Sequence, residues 1–216
     1  TRDYLLRMIH QLGLVLAAVL KLNKEKRYDD ALHEIHLSSR QLLGMDIGLL
    51  VSLSDDAVIR LLSLGDRFDA EKCIVAAELL RIVGEVKAQQ GDETASFHCR
   101  TTSLSLFLEL LAHETGTLPK EYFDFTEGLI PQVSSYELPL TLRMKMVRYY
   151  EYTGRFDLAE NILFEIVESE PRYASEGVRF YTRLQSKSDE ELRKGQLPRN
   201  EVEMGKRSLE QRLKQA

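Results

Sequence analysis

The clearest architectural pattern in this sequence is the segment LRMKMVRYYEYTGRFDLAENILFEIVESEP, which spans residues 142–171. Apolar residues recur at helical spacing on both sides of Gly154, and Pro171 ends the pattern. A glycine that follows such a run favours a left-handed helix end, and the small side chain of Ala159 lets two helices lie close together. The segment therefore predicts two antiparallel helices joined by a short turn.

Helical spacing of apolar residues continues along most of the chain. The 216 residues include 36 Leu but only 21 Val and Ile, and Gly and Pro together number 17, which favours helix over a turn-rich sheet. Ten helices are predicted, over residues 3–22, 28–43, 55–64, 69–90, 94–115, 119–132, 139–153, 156–169, 171–186 and 198–214. Because the connections are short, consecutive helices are expected to pack as antiparallel hairpins in an all-α fold.

Glycine and serine residues mark the expected helix ends. Six glycines follow an apolar run and are predicted to take the left-handed conformation: Gly44, Gly65, Gly91, Gly116, Gly154 and Gly195. Ser188 and Glu191 have the spacing of a capping box, in which side chains and backbone satisfy each other's hydrogen bonds at a helix start. These residues predict where several helices stop and where one begins.

Three segments are apolar almost all round, at residues 12–20, 73–86 and 104–111. A helix without a polar face is expected to be buried on more than one side, in the middle of an array or at a subunit interface. The last segment, 185–216, is instead rich in charge and predicts a weakly packed terminal helix. We therefore expect one helical-repeat domain over 1–184, with 185–216 as a charged C-terminal cap or tail of the same domain.

The hairpin at 142–171 resembles a tetratricopeptide repeat. The resemblance rests on the turn glycine, the turn aromatic, the small residue at the helix contact, the large apolar residues of the second helix and the closing proline: Gly154, Phe156, Ala159, Leu163, Ile166, Val167 and Pro171. A weaker copy occurs at Tyr28, Ala31 and Ile35, and a partial one at 65–68. Since the copies are not evenly spaced, the resemblance implies a right-handed solenoid of antiparallel hairpins with degenerate repeats.

The N-terminal part of the chain carries a second resemblance. The run RDYLLRMIHQL at 2–12, the turn YDDAL at 28–32 and LLG at 42–44 are similar to a family of small bacterial proteins of unknown function. This resemblance implies a helical fold and a cytoplasmic location, and it implies no activity.

Composition narrows the choice of partners and compartment. The formal net charge is −5 and the isoelectric point is about 5.6, so no overall attraction to nucleic acid or to an anionic membrane is expected. Cys73 and Cys99 are too few for a disulfide framework, which favours a reducing compartment. The apolar run at 12–20 lacks a cleavage site and is interpreted as helix rather than secretory signal. We therefore expect a cytoplasmic protein without nucleic-acid or membrane partners.

Few residues have the spacing that metal binding or catalysis requires. Asp30, His33 and His36 lie on one predicted helix, but two histidines on its solvated side do not supply a full set of metal ligands. His98 and Cys99 are adjacent on a helix and point about 100° apart, which disfavours a nucleophile pair. The prediction is therefore no metal, no cofactor and no catalysis, with an enzyme as the least favoured class.

The remaining feature is the groove that a helical-repeat array presents. In tetratricopeptide repeats the first helix of each hairpin lines the concave face, and this places Met144, Arg148 and Tyr152 there as the predicted partner-binding residues. Arg148 and Tyr152 offer a cation and an aromatic ring four residues apart. We expect a non-catalytic interaction or scaffold module that binds a protein or peptide partner. Two alternatives stay open: a homodimer through helix 3–22, and a regulatory domain with a small ligand in a pocket between hairpins.

Overall fold

The fold is helical. The structure is a computed structural model that describes residues 2–64, 67–113 and 120–215. Within those ranges it contains twelve α-helices, one 3-10 turn and one hairpin of two-residue strands. The chain divides into two compact units, Thr1–Glu137 and Leu138–Ala216. The prediction of an all-helical chain is therefore confirmed at the level of fold class.

The first unit is built around one helical hairpin. Its elements are α1 (Arg2–Lys24), α2 (Tyr28–Leu43), α3 (Ile47–Ser52), α4 (Asp55–Leu62), β1 (Ser63–Leu64), β2 (Arg67–Phe68), α5 (Ala70–Gln89), α6 (Glu93–His113) and α7 (Lys120–Val133). The two short strands are antiparallel, with Ser63 opposite Phe68. Helices α5 and α6 form the largest contact, α5 also packs on α1, α2, α3 and α4, and α7 packs on α6. The α5–α6 hairpin is therefore the centre of this unit.

Burial follows this arrangement. The apolar residues of 73–86 and 104–111 are almost fully buried, as predicted. In the run 12–20, Leu12 and Val19 are buried but Leu14 is 61% exposed, so this run is not buried on more than one side within the chain, and burial at a subunit interface stays a prediction. Helix α1 has its main contacts with α2 and α5, and the described residues that it leaves exposed include Leu14 and Leu20.

Small residues let α5 and α6 approach closely. A Cβ atom added to Gly84 would lie 3.0 Å from Cγ of Arg100 and 3.3 Å from the carbonyl oxygen of Ser96. About two turns further along the interface, the Ser103 hydroxyl donates a hydrogen bond of 2.7 Å to the carbonyl oxygen of Ala77. This bond satisfies the buried Ser103 hydroxyl within an otherwise apolar contact.

A partly buried cluster of three charged side chains lies on a neighbouring face of α5 and reaches Phe125 of α7. Arg81 donates from Nε and Nη2 to Oε2 of Glu78, at 3.1 and 2.9 Å, and from Nη1 to Glu85 at 2.5 Å. The Arg81 guanidinium also lies 4.9 Å from the ring centre of Phe125. Burial raises the pKa of the Glu78 carboxyl, and the positive charge of Arg81 offsets part of this rise. Glu78 is therefore a buried acid that depends on Arg81 for its ionised form.

The second unit consists of two helical hairpins. Its elements are α8 (Leu140–Tyr152), α9 (Phe156–Ser169), a 3-10 turn (Pro171–Tyr173), α10 (Ala174–Gln185), α11 (Asp189–Lys194) and α12 (Arg199–Gln215). Helix α8 pairs with α9, and α10 pairs with α12. Ala159 is completely buried, as expected for a small residue at a helix contact. The backbone N–H of Asp157 donates to the carbonyl oxygen of Gly195 at 3.1 Å, which ties the start of α9 to the end of α11.

The C-terminal segment belongs to this unit and packs firmly in it. Its buried apolar residues are Leu192, Leu197, Val202 and Leu209. A Cβ atom at Gly177 of α10 would lie 2.3 Å from Cδ1 of Leu209, so α10 and α12 are in close contact. The expectation of a weakly packed terminal helix is therefore wrong, although Met204 and Leu213 are exposed.

The ten predicted helices are all found, and most of their described ends agree within two residues. The helix predicted over 55–64 ends at Leu62, because Ser63 and Leu64 form strand β1. The helix predicted from 171 is preceded by a 3-10 turn. Helices α3 and α11 were not predicted, since six residues are too few to show an apolar period. The ends expected at 115 and 119 lie outside the described residues.

The helix-end predictions are confirmed at some glycines and wrong at one. Gly44, Gly91 and Gly154 have φ angles of 73°, 80° and 74°. Gly195 has φ of −82°, and the left-handed residue there is Gln196. Gly65 and Gly116 lie outside the described residues. The capping box of Ser188 and Glu191 is present, with both of its reciprocal hydrogen bonds.

Candidate functional site

The three predicted binding residues lie on α8 at intervals of four. This helix buries Leu142, Met146, Val147, Tyr149 and Tyr150. Arg148 is exposed, Tyr152 is 51% exposed, and Met144 is half-buried. Because residues four apart are neighbours on a helix surface, the three side chains share one stripe, called here the α8 stripe.

An ion pair beside the α8 stripe connects α8 to α10. Arg183 donates from Nε and Nη2 to the two carboxylate oxygens of Glu151, at 2.7 and 2.8 Å. These hydrogen bonds raise the pKa of the Arg183 guanidinium. A two-point pair of this kind fixes both distance and orientation. It holds Glu151, the neighbour of Tyr152, against the first helix of the next hairpin.

The turn between α8 and α9 uses a second arginine. The Arg155 guanidinium lies 5.2 and 4.6 Å from the ring centres of Tyr149 and Tyr150. Its Nε donates to the hydroxyl oxygen of Thr153 at 3.1 Å. Arg155 therefore contributes to the structure of the hairpin, and Arg148 is the arginine of this region that α8 presents to solvent.

A groove lies between the two hairpins of the second unit, where α9, α10 and α12 meet. Its volume is about 330 Å³. The described residues that line it are Glu160, Asn161, Phe164, Tyr181, Glu201, Met204 and Gly205. In its floor the Tyr181 hydroxyl donates a 2.6 Å hydrogen bond to Oε1 of Glu160. This groove is called the α9–α12 groove below.

Gly205 is required for this geometry. A Cβ atom added there would lie 2.3 Å from both Cζ and the hydroxyl oxygen of Tyr181. The phenol ring therefore passes directly over the backbone of α12 on its way to Glu160. A glycine within a helix lowers stability by about 1 kcal/mol relative to alanine. At position 205 a larger residue would collide with the Tyr181 ring, which explains the glycine.

The charged side chains that line the groove are both acidic, Glu160 and Glu201. Burial raises the pKa of the Glu160 carboxyl, the Tyr181 hydrogen bond opposes the rise, and the charges of Glu201 and Asp157 add to it. Burial, together with the bond to Glu160, also raises the pKa of the Tyr181 hydroxyl. The carboxylate of Glu160 is thus held in position within a field set by two other carboxylates.

Sequence reasoning did not find this groove. Tyr181 and Glu160 are 21 residues apart on different helices, and no local spacing joins them. Met204 lies in the charged C-terminal segment and is 67% exposed, and no local pattern relates it to Phe164 of α9. One usable indication was present: a glycine inside a helix costs stability, so Gly205 in the charged C-terminal helix pointed to a close contact as one explanation.

The histidines considered above for metal binding and catalysis contact other groups of the first unit. The rings of His33 and His36 are 6.5 Å apart, and Nδ1 of His36 lies 3.1 Å from a carboxylate oxygen of Asp46. His98 contacts the carbonyl oxygen of Val51 through Nε2 at 2.8 Å, and burial raises the pKa of Cys99 to about 11. Among the described residues, no group of three or more His, Cys, Asp and Glu could hold a metal ion.

Comparison with known protein families matches nearly the whole chain. The family described as a family of unknown function (DUF6483) covers residues 1–214. Searches of curated proteins and of solved structures found no match. Within the described parts of the chain, no helix has the length and apolar character needed to cross a membrane. Since the match extends over nearly the whole length, the chain belongs to this family of unknown function, DUF6483.

Proposed function

We propose that this protein is a non-catalytic interaction module that acts in the cytoplasm and binds a peptide or helix of a protein partner on the α8 stripe. The observation that carries the proposal is the exposure of Tyr152, at 51%, one helical turn from the exposed Arg148. Tyrosine and arginine are the residue types that most often dominate the energy of protein interfaces.

The surroundings of the stripe support binding without large rearrangement. Helix α8 is anchored by five buried side chains on its opposite side. The Glu151–Arg183 pair adds a fixed connection to α10. A rigid helix face loses little conformational entropy when a partner binds, so more of the contact energy appears as affinity.

We also propose that the second unit is arranged as in tetratricopeptide repeats, with α8 and α10 as the first helices of successive hairpins. The buried Phe156, Ala159 and Leu163 support this, since each occupies the place that the repeat pattern gives it. The ion pair between α8 and α10 supports it too, because first helices are neighbours in such an array. An experimental structure of the full chain tests this arrangement.

The binding proposal is tested by affinity capture from host lysate with wild type and with Arg148→Ala/Tyr152→Ala. The matched control is Arg207→Ala/Leu213→Ala, which also removes one exposed cation and one exposed apolar side chain, both from α12. We expect the stripe variant to lose one specific protein that wild type and control retain. With that protein purified, its Kd should weaken by roughly tenfold or more, as expected for interface residues of this kind.

Circular dichroism and thermal melts must first show that all three proteins are equally helical and stable. Equal capture by wild type and the stripe variant would overturn the proposal. A protein lost from both double variants would indicate that binding depends on general surface charge rather than on the α8 stripe.

Two other functions have specific support. A small-ligand-sensing domain is the alternative that the size of the α9–α12 groove allows, because its volume of about 330 Å³ is at the lower end of small-molecule sites. The exposed Leu14 and Leu20 of α1 favour a homodimer through helix 3–22. Thermal-shift screening of metabolites tests the first. Analytical ultracentrifugation of wild type and Leu14→Lys tests the second, with a dimer that the variant dissociates as the expected result.

A further inference from the structure

Two large apolar side chains on the rim of the α9–α12 groove keep at least half of their surface exposed. Phe164 on α9 is 52% exposed, and Met204 on α12 is 67% exposed. They lie beside Glu160 and Glu201, which contribute carboxylates to the same groove. Apolar and anionic groups therefore converge at one place on the surface.

We propose that the α9–α12 groove docks a basic peptide segment of a protein partner, with Glu160 and Glu201 receiving a Lys or Arg side chain and Phe164 and Met204 receiving its apolar neighbours. This surface is separate from the α8 stripe and has the opposite charge. The proposal therefore does not depend on peptide binding at the stripe.

Charge complementarity is the first argument for a cationic occupant. The described residues that line the groove include two carboxylates and no Lys or Arg. The charges that act on Glu160 from its surroundings, those of Glu201 and Asp157, are both negative. A guanidinium or ammonium group placed between Glu160 and Glu201 would relieve this repulsion and form charge-assisted hydrogen bonds.

The groove is also organised before anything binds. Tyr181 holds Oε1 of Glu160 at 2.6 Å, and the ring reaches it by crossing Gly205. A carboxylate has about four acceptor positions, so the bond from Tyr181 leaves capacity for a second donor. Glu160 therefore needs no rearrangement to accept a cationic side chain.

The chain itself shows that the rim accepts a cation beside an apolar surface. The guanidinium of Arg212 lies 5.7 Å from the ring centre of Phe164. The same arginine pairs with Glu168 at 2.7 Å. Phe164 on α9 therefore already contacts one cationic side chain, that of Arg212 on α12. A Lys or Arg side chain of a bound peptide would meet a similar combination of aromatic ring and carboxylate in the groove.

The shape of the groove favours a peptide over a small molecule. A typical small-molecule site encloses most of its ligand, whereas here Phe164 and Met204 project from two helices with at least half of their surface exposed. Apolar side chains spaced along a peptide can cover both, as amphipathic segments do when they bind in grooves between helices.

The test uses the full chain and a fluorescein-labelled twelve-residue peptide, three repeats of Leu-Arg-Lys-Leu, measured by fluorescence anisotropy. The probe with Glu in place of every Arg and Lys is the peptide control. We expect Glu160→Gln/Glu201→Gln to weaken binding of the basic peptide by about tenfold or more. Phe164→Ala/Met204→Ala should weaken it as well.

The matched protein control is Glu93→Gln/Glu190→Gln, which removes the same net charge from exposed positions outside the groove. It should change the Kd less than twofold, and Arg148→Ala/Tyr152→Ala should leave the Kd unchanged. Glutamine at 160 keeps an oxygen that can accept the Tyr181 hydrogen bond, so the variant is expected to fold, which circular dichroism checks.

Three results would overturn the proposal. Equal weakening by both glutamate pairs would mean that the peptide responds only to net charge. Equal binding of the acidic peptide would remove the charge argument. Groove-dependent binding of n-butylguanidinium without binding of the peptide would assign the groove to a small ligand instead.

Discussion

The helices α1 and α5 of the first unit are both long and rich in apolar residues, yet they differ in how much of their surface is covered. From Cys73 to Leu80 every residue of α5 is buried, whereas α1 buries Leu12 and Val19 and exposes Leu14. Helix α5 packs on α1, α2, α3, α4 and α6, while α1 packs on α2 and α5. The number of neighbouring helices, rather than apolar content, decides the burial of a helix here.

The largest expected effect is that of a cavity in α5. Leu80 is completely buried, and Leu80→Ala is expected to lower the free energy of unfolding by about 2–5 kcal/mol, because the contacts of the lost atoms are not replaced. Urea denaturation followed by circular dichroism measures this. A loss below about 1 kcal/mol would contradict the central position of α5.

Two glycines, one in each helix, sharpen the comparison, since the same substitution to alanine should change the free energy of unfolding in opposite directions. An alanine Cβ at Gly84 of α5 would lie 3.0 Å from Arg100, whereas at Gly13 of α1 it would meet no atom within 4 Å. We expect Gly84→Ala to destabilise the protein by about 1 kcal/mol through overpacking. Gly13→Ala should stabilise it by roughly 0.5–1 kcal/mol, because alanine favours helix. If both variants shifted the urea midpoint equally, the proposed difference in packing between α1 and α5 would be contradicted.

The buried acid of α5 predicts a smaller, pH-dependent effect. Burial raises the pKa of Glu78 above its value in the unfolded chain, so protonation of Glu78 favours the folded state. This contribution is present below the unfolded value of about 4.3 and is lost as pH rises through the raised value. The stability of Glu78→Gln relative to wild type should therefore increase from about pH 4 to pH 7. Urea titrations at several pH values measure it, with Glu93→Gln as control.

The smallest effect is expected at the exposed face of α1. Leu14→Ala should change the free energy of unfolding by less than about 0.5 kcal/mol, since the side chain is 61% exposed. The measurement is made at two protein concentrations that differ a hundredfold. A larger loss that depends on concentration would show that a second chain covers this face.

Much of the helical architecture could be predicted from the sequence, because it depends on local patterns. The apolar period placed the ten longer helices, and the chemistry of glycine placed the ends at Gly44, Gly91 and Gly154. The capping box at Ser188 depends on residues three apart and was equally predictable. The six-residue helices α3 and α11 were missed because each is shorter than two turns.

Which helix surfaces are covered by neighbouring helices could not be predicted in the same way. The runs at 12–20 and 73–86 look alike in sequence, and only the set of packed neighbours distinguishes them. The same holds for the candidate sites. The α8 stripe follows from the spacing of Met144, Arg148 and Tyr152 on one helix, whereas the α9–α12 groove needs three helices to meet.

The pairing of helices also has a consequence for how fast the protein folds. Extensively packed pairs, such as α1 with α2, α5 with α6 and α8 with α9, are consecutive in the chain. Contacts between consecutive helices close short loops, which cost little entropy, and chains rich in such contacts fold in microseconds to milliseconds. Each hairpin can therefore begin to form as soon as its own residues have been synthesised, before the rest of its unit exists.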